Sequence, residues 1–200
     1  MLRTLRDKHL VLGVTGSISA YKALYLTRIL VEAKGQVSPI LTRAAARFVG
    51  PLSFSVLSGE RAVTDLWSAA EAGEVGHVEL AHRADAVIIA PATADSIARI
   101  ALGRADDPLT AVVLSTTKPV IIAPAMESGM WNDAMTNAHV EALVARGYHF
   151  VWPETGELAS GRSGVGRLAE PETIAEEIAR VFAPNDLAGE RVLVTAGPTR

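Results

Sequence analysis

The sequence predicts an α/β fold, a three-layer sandwich on a doubly wound parallel sheet. Three observations carry that reading. Apolar runs of strand length recur without alternating apolar and polar residues, the mark of strands buried on both faces. Longer stretches with helix-start and helix-stop signals separate them. The 200 residues are enough for one such domain with a full core, and too few for two ordinary ones.

The elements follow in order. The first strand is His9–Val14, and the next four fall at 37–42, 86–90, 119–123 and 148–152. A helix over 17–33 opens on small polar residues and stops before Gly35, and one over 44–57 stops near Gly59. Helices over 95–102 and 132–146 end at Gly103 and Gly147, where a C-terminal glycine is expected. The last, 172–182, follows Pro171, a helix-start residue. This strand–helix repeat is Rossmann-like and flavodoxin-like.

Two segments break the alternation. Residues 60–76 make a long excursion containing Trp67. Residues 154–170 carry Gly156, Gly161, Gly164 and Gly166 and read as a functional flap or a disordered loop. Residues 183–190, with Pro184, Asn185, Asp186 and Gly189, read as a linker. A new apolar strand then begins at Arg191. The expected division is a domain over 1–182, a linker over 183–190, and the first strand and turn of another domain over 191–200.

Composition narrows the function classes. Apolar residues make up 49% and charged residues 20%, which excludes a disordered chain. A net charge of −3 leaves no basic excess for nucleic acid or an anionic membrane. The apolar runs fall far short of the ~20 residues of a spanning helix, and the N-terminus lacks a signal-peptide pattern. A cytoplasmic protein is expected. With no cysteine, disulfides, thiolate metal sites and a catalytic thiol are excluded. The five histidines show no HxxxH or HExxH spacing, so no metal is expected, and no GxSxG motif is present.

Four constellations remain. Gly13-Val-Thr-Gly-Ser-Ile-Ser-Ala20 joins strand to helix. Gly16 permits a tight turn, and the amides and the Ser17 and Ser19 hydroxyls suit a phosphate, although an ordinary capped turn has the same pattern. Ala90-Pro-Ala-Thr-Ala-Asp-Ser96 lies at the carboxyl end of a central strand, where open α/β sheets bind ligands. There Thr93 or Asp95 equally suits a plain helix cap. Ile122–Trp131 is a strand-end loop with Met126, Glu127 and Met130, apolar enough to line a pocket. His77, at a helix start, suits a base or a hydrogen-bond donor, while a surface histidine remains the commoner case.

In this order, GVTGSISAYK (13–22), His77 ahead of an Ala-Asp strand, 91–96 and 124–131 resemble the homo-oligomeric flavin-containing cysteine decarboxylases, over about residues 8–182. Within that family the likeness is to the branch acting on phosphopantothenoylcysteine. VLVTAGPTR (192–200) resembles the opening of phosphopantothenate–cysteine ligases, often fused behind such decarboxylases. The resemblance implies FMN at the interface of a homotrimer or dodecamer, a small-molecule substrate, a place in coenzyme A synthesis, and a following ligase domain. It implies that Gly16, Ser17 and Ser19 hold the FMN phosphate, with Thr42 adding a hydroxyl. Thr93, Ala94, Asp95 and Ser96 fall on a cofactor segment, and Ala125 and Met126 fall beside the flavin. His77 falls on the active-site histidine. Glu127, Met130, Ala159 and Gly161 fall on substrate-binding positions, and Ser160 on the proton donor.

The chemistry so implied oxidises the substrate's cysteine thiol to a thioaldehyde-like species. That species loses CO₂ as a β-keto acid does, and the enethiol is then reduced. Two positions depart from the family pattern. Glu127 stands where an asparagine would bond the substrate carboxylate; an ionised glutamate repels that group, and a neutral one can donate it one hydrogen bond. Ser160 replaces a flap cysteine and is a far weaker acid than a thiol. Both changes also suit a flavin-binding assembly or regulatory module that has lost decarboxylation. A flavin prenyltransferase-like enzyme is a further reading, opposed by His77, the Met-Trp loop and the ligase-like tail.

Overall fold

The computed structural model describes residues 2–66, 76–184, 189 and 191. Trp67, the end of the 183–190 segment and the strand expected beyond Arg191 lie outside the described residues.

Five strands form one parallel sheet: β1 (His9–Val14), β2 (Gln36–Leu41), β3 (Ala86–Ala92), β4 (Val120–Pro124) and β5 (His149–Phe150), in the order β2-β1-β3-β4-β5. Successive side chains of a strand face opposite ways, and here both sets are apolar. Leu10, Leu12, Val14, Val37, Leu41, Ile88 and Ile121 join one buried cluster. Val11, Ile40, Val87, Ile89, Val120 and Ile122 join the other.

Helices cover both faces. α1 (Lys22–Glu32), α2 (Pro51–Ser58) and α8 (Pro171–Val181) seal the first cluster through Leu26, Leu30, Phe54, Ile174 and Ile178. α3 (Gly76–Arg83), α4 (Ala94–Ala101), α5 (Pro108–Ser115) and α7 (Ala134–Ala145) seal the second through Ala81, Ile97, Leu109, Val112 and Leu143. Among the described residues, no helix is long and apolar enough to cross a membrane.

The expected helix over 17–33 is a 3₁₀ turn at Ile18–Tyr21 followed by α1. The Ser17 hydroxyl accepts the Ser19 amide, a local bond that competes with regular helix. The expected helix over 44–57 also divides, into a 3₁₀ turn at Ala45–Arg47 and α2. Pro51 lacks an amide proton and takes the first helical turn, leaving Gly50 extended as the N-cap. α5 was not expected at all. Buried from Pro108 to Val113, it has no polar face to give it a helical period. Its start was nevertheless written in sequence: Asp107 accepts the Thr110 amide at 2.9 Å in a capping box.

Residues 154–170 are no loop. They hold an antiparallel hairpin, β6 (Glu154–Glu157) and β7 (Ser163–Arg167). A short helix, α6 (Ser128–Trp131), faces the hairpin.

Candidate functional site

Between β1 and β3 the chain reverses the direction in which it adds strands, so the loops leaving these two strands part and open a crevice at their carboxyl ends. Bonds between strand ends build its rim. The Thr42 amide donates to the Val14 carbonyl, and the Ala125 amide to the Ala92 carbonyl. Between them, buried Thr15 joins β1 to β3. Its hydroxyl donates to the Pro91 carbonyl at 2.8 Å and accepts the Thr93 amide at 3.0 Å. Thr15→Val keeps the shape and removes both bonds. It should cost about 1–3 kcal/mol, because a largely buried amide loses its acceptor. Urea titration checks this, and a variant as stable as its parent removes Thr15 from the rim.

A cleft of about 320 Å³ lies on this crevice, inside the roughly 300–1,000 Å³ range of small-molecule sites. Gly16, Ser17, Ile18 and Ser19 line one end. Thr93, Ala125, Met126, Glu127 and Met130 form the floor and far wall, and Glu157, Leu158, Ala159, Gly166 and Arg167 come from the hairpin. The Ser17 oxygen accepts the Ser19 amide, so its own proton remains to donate outward. A larger cavity of about 1010 Å³ continues past Gly16, Thr93 and Met130, and Thr42, Asp95, Ser96 and Arg99 line it.

The helix-cap alternative and the ligand alternative coexist at Thr93. It caps α4 by accepting the Ser96 amide at 3.3 Å, and its hydroxyl lies 3.0 Å from that of Ser96. Asp95 faces outward toward Arg99, which binds Asp106 at 2.6 Å and Asp107 at 3.0 Å. The hydrogen bond from Arg99 holds the Asp106 carboxyl below the usual carboxylate range.

The hairpin is seated on the loop after β4. The Met126 amide donates to the Gly166 carbonyl at 2.9 Å. A Cβ on Gly166 would lie 2.2 Å from the Met126 carbonyl oxygen, and one on Gly164 would lie 2.7 Å from the Ser128 hydroxyl. Ion pairs tie its base to the first crossover. Arg167 pairs with Glu170, whose two oxygens take Lys22 Nζ from α1 at 3.0 and 2.9 Å.

The Lys22 hydrogen bond, partly opposed by desolvation, holds the Glu170 carboxyl below its ordinary value near 4.5. A carboxyl lowered on folding stabilises the fold above its unfolded value, and that contribution is lost as pH falls through the folded value. Lys22→Met should therefore cost about 0.5 kcal/mol near neutral pH, discounted because the Glu170 side chain is 40% exposed. The difference from the parent should shrink as pH falls below about 4.5 and vanish once pH has passed through the lowered folded value, and acid-series denaturant titrations read it.

Two expected residues stand apart. His77 lines a separate cavity of about 210 Å³ with Glu60, Asp65 and Arg83, which shares no lining residue with the cleft. Ser160 is exposed at the hairpin tip, where it accepts the Arg162 amide at 3.4 Å, and neither it nor Gly161 lines the cleft. Ala94 begins α4 outside both cavities. Among the described residues no group of three His, Asp or Glu could hold a metal ion. Sequence reasoning passed over Thr15 and Arg167. Thr15 lay inside the quoted glycine turn, and Arg167 follows Gly166 in the glycine-rich stretch.

The flavoprotein family profile matches residues 1–183. The coenzyme A biosynthesis bifunctional protein CoaBC of Vibrio cholerae is 44% identical over 199 residues, which cover 100% of this chain and 50% of that protein. The CoaBC of Mycobacterium tuberculosis is 46% identical, covering 96% of this chain and 47% of that one. The chain thus spans about half the length of the curated relatives it matches. Among solved structures, a cysteine-to-serine mutant of PPC decarboxylase complexed with pantothenoylaminoethenethiol superposes with a TM-score of 0.79 at 32% identity, covering 88% of this chain and 98% of that one. An FMN-binding protein superposes with a TM-score of 0.76 at 30% identity, covering 88% and 97%.

Proposed function

This chain belongs to the flavoprotein family, and from that premise we propose that it binds FMN and decarboxylates 4′-phosphopantothenoyl-L-cysteine to 4′-phosphopantetheine, a carbon–carbon lyase step of coenzyme A synthesis. One observation carries the reading: a hydroxyl-lined turn at the strand switch point faces a two-stranded flap across a single cleft. The bifunctional relatives and the structural likeness to PPC decarboxylase support it.

The residues fit the cofactor. The Ser17 and Ser19 hydroxyls and the Gly16 backbone suit its phosphate, and Thr42 offers a further hydroxyl next door. Thr93, Ala94, Asp95 and Ser96 sit on the β3–α4 corner beside it, and Ala125 and Met126 supply apolar floor. Bound there, a flavin supplies a two-electron acceptor and donor, so oxidation at the cysteinyl carbon and its reversal after CO₂ leaves balance.

The protein's own part is positioning. Met130, Leu158 and Ala159 line the reacting end of the substrate. Ser160 and Gly161 form the hairpin tip next to Leu158 and Ala159, which line the cleft, and they act on substrate from that end. His77 acts on the cleft of a neighbouring copy of the chain in a homotrimer or dodecamer, since its own cleft lies apart. An exposed apolar face made by Ile18, Tyr21, Tyr25, Phe48, Leu52 and Val56 supports such an assembly. A ligase domain following this one is part of the same proposal.

The test is an absorption spectrum of the purified protein followed by mass spectrometry of the incubated substrate. A flavin band and a product lighter by one CO₂ are expected. Flavin-loaded protein that leaves the substrate intact would favour the assembly or regulatory module instead.

A further inference from the structure

The geometry points to Arg167 as the residue that receives the carboxylate of the substrate, an inference that rests on the decarboxylation proposed above. Among the described residues that line the cleft, Arg167 is the single cation, while Glu127 and Glu157 are acids. Neither acid can accept an anion without repulsion, so a carboxylate entering this cleft has one charge-complementary partner.

The backbone places that partner. Arg167 follows Gly166, whose carbonyl takes the Met126 amide, so the guanidinium stems from the point where the flap meets the loop bearing Glu127. Its side chain lies along Gly156, where an added Cβ would stand 3.3 Å from Cδ and 3.4 Å from Nη1. Nη2 donates to Glu170, and Lys22 holds Glu170 from the other side. A guanidinium has five donors in a rigid fork. With Nη2 engaged, Nη1 and Nε remain for a ligand carboxylate.

Glu154 stands opposite Arg167 across the hairpin and takes the Glu170 amide at 3.3 Å, so with Lys22, Arg167 and Glu170 the charges at the base of the flap balance. The remaining Arg167 donors bind a ligand that keeps its carboxylate and are indifferent to one that has lost it. Arg167 thus selects substrate over product.

Binding without turnover tests this. 4′-Phosphopantothenoyl-serine keeps the carboxylate and lacks the thiol, and its decarboxylated ethanolamine counterpart lacks both. Calorimetry on the flavin-loaded full chain gives dissociation constants for each probe. In Arg167→Gln, the carboxylate probe should bind about 10- to 100-fold more weakly, while the decarboxylated probe stays within about twofold. Arg167→Lys should recover part of the loss, because charge is restored without the fork. Flavin content should match the parent, and the melting midpoint should fall no further than the loss of one exposed ion pair accounts for. Equal weakening of both probes, no weakening of either, or loss of flavin in Arg167→Gln would overturn the assignment. A parent protein that releases CO₂ from the cysteine substrate while Arg167→Gln binds both probes like the parent removes the role of Arg167 and leaves the decarboxylase reading intact. A parent that neither binds the carboxylate probe nor releases CO₂ removes both.

Discussion

Alanine at position 166 is expected to unseat the flap and cut turnover steeply while the sheet stays folded. Gly166 has φ +146°, a conformation L side chains rarely adopt. Its added methyl would lie 2.2 Å from the Met126 carbonyl oxygen, a backbone atom that cannot rotate away. The strained dihedral and the clash together should cost about 3 kcal/mol. That cost falls on a two-stranded hairpin, which is at best marginally stable alone. The cheapest relief is therefore to lift β7 off the loop after β4, breaking the bond between the Met126 amide and the Gly166 carbonyl.

The cleft would then lose Glu157, Leu158, Ala159 and Arg167 together. Substrate positioning should fall with them, lowering kcat/KM about 100-fold or more. Hydrogen exchange separates this local event from unfolding: hairpin amides lose protection while those of β1 and β3 keep it. Unchanged protection in the hairpin would show that it is not held at this contact.

The layers of this fold were legible because their signals are local. Each central strand is apolar on both faces, so Leu10, Val11, Leu12, Ile88 and Ile89 announced a covered parallel sheet whatever lay next to them. The glycine turn at Gly16 and the loop at Met126 were legible for the same reason, since position at a strand end follows from the strand. The hairpin was not. Its strands are short, and Gly156, Gly164 and Gly166 look like loop residues until Met126 and Ser128 are brought against them. Thr15 is similar: its hydroxyl matters because Pro91 and Thr93, almost eighty positions away in sequence, sit on the adjacent strand end. His77 shows a further limit, because its residue type was readable while its place in a cavity with Glu60, Asp65 and Arg83, apart from the cleft, was not.

Gly16→Ala is expected to empty the site of flavin while leaving most of the stability intact. A Cβ at this position would lie 2.4 Å from the Ala44 Cβ and 3.2 Å from the Ala44 carbonyl carbon. The turn after β1 thus touches the loop after β2 directly, and the contact is possible because neither side carries more than a methyl. Both loops are held from behind. The Thr42 amide bonds Val14, the Thr42 hydroxyl accepts the Ala45 amide, and Thr15 bonds Pro91. The added methyl therefore displaces residues 16–19 on one side and residue 44 on the other. A displacement of about 1 Å is enough to spoil hydrogen bonds to a phosphate, whose useful range is a few tenths of an ångström. Two or three charge-assisted bonds lost at about 1.5 kcal/mol or more each correspond to an affinity reduced at least 100-fold. The protein should then purify colourless, with a denaturation midpoint close to that of parent protein stripped of flavin. Titration with FMN measures the loss directly, and an unchanged dissociation constant would mean that the phosphate is held by some other turn than the one at Gly16.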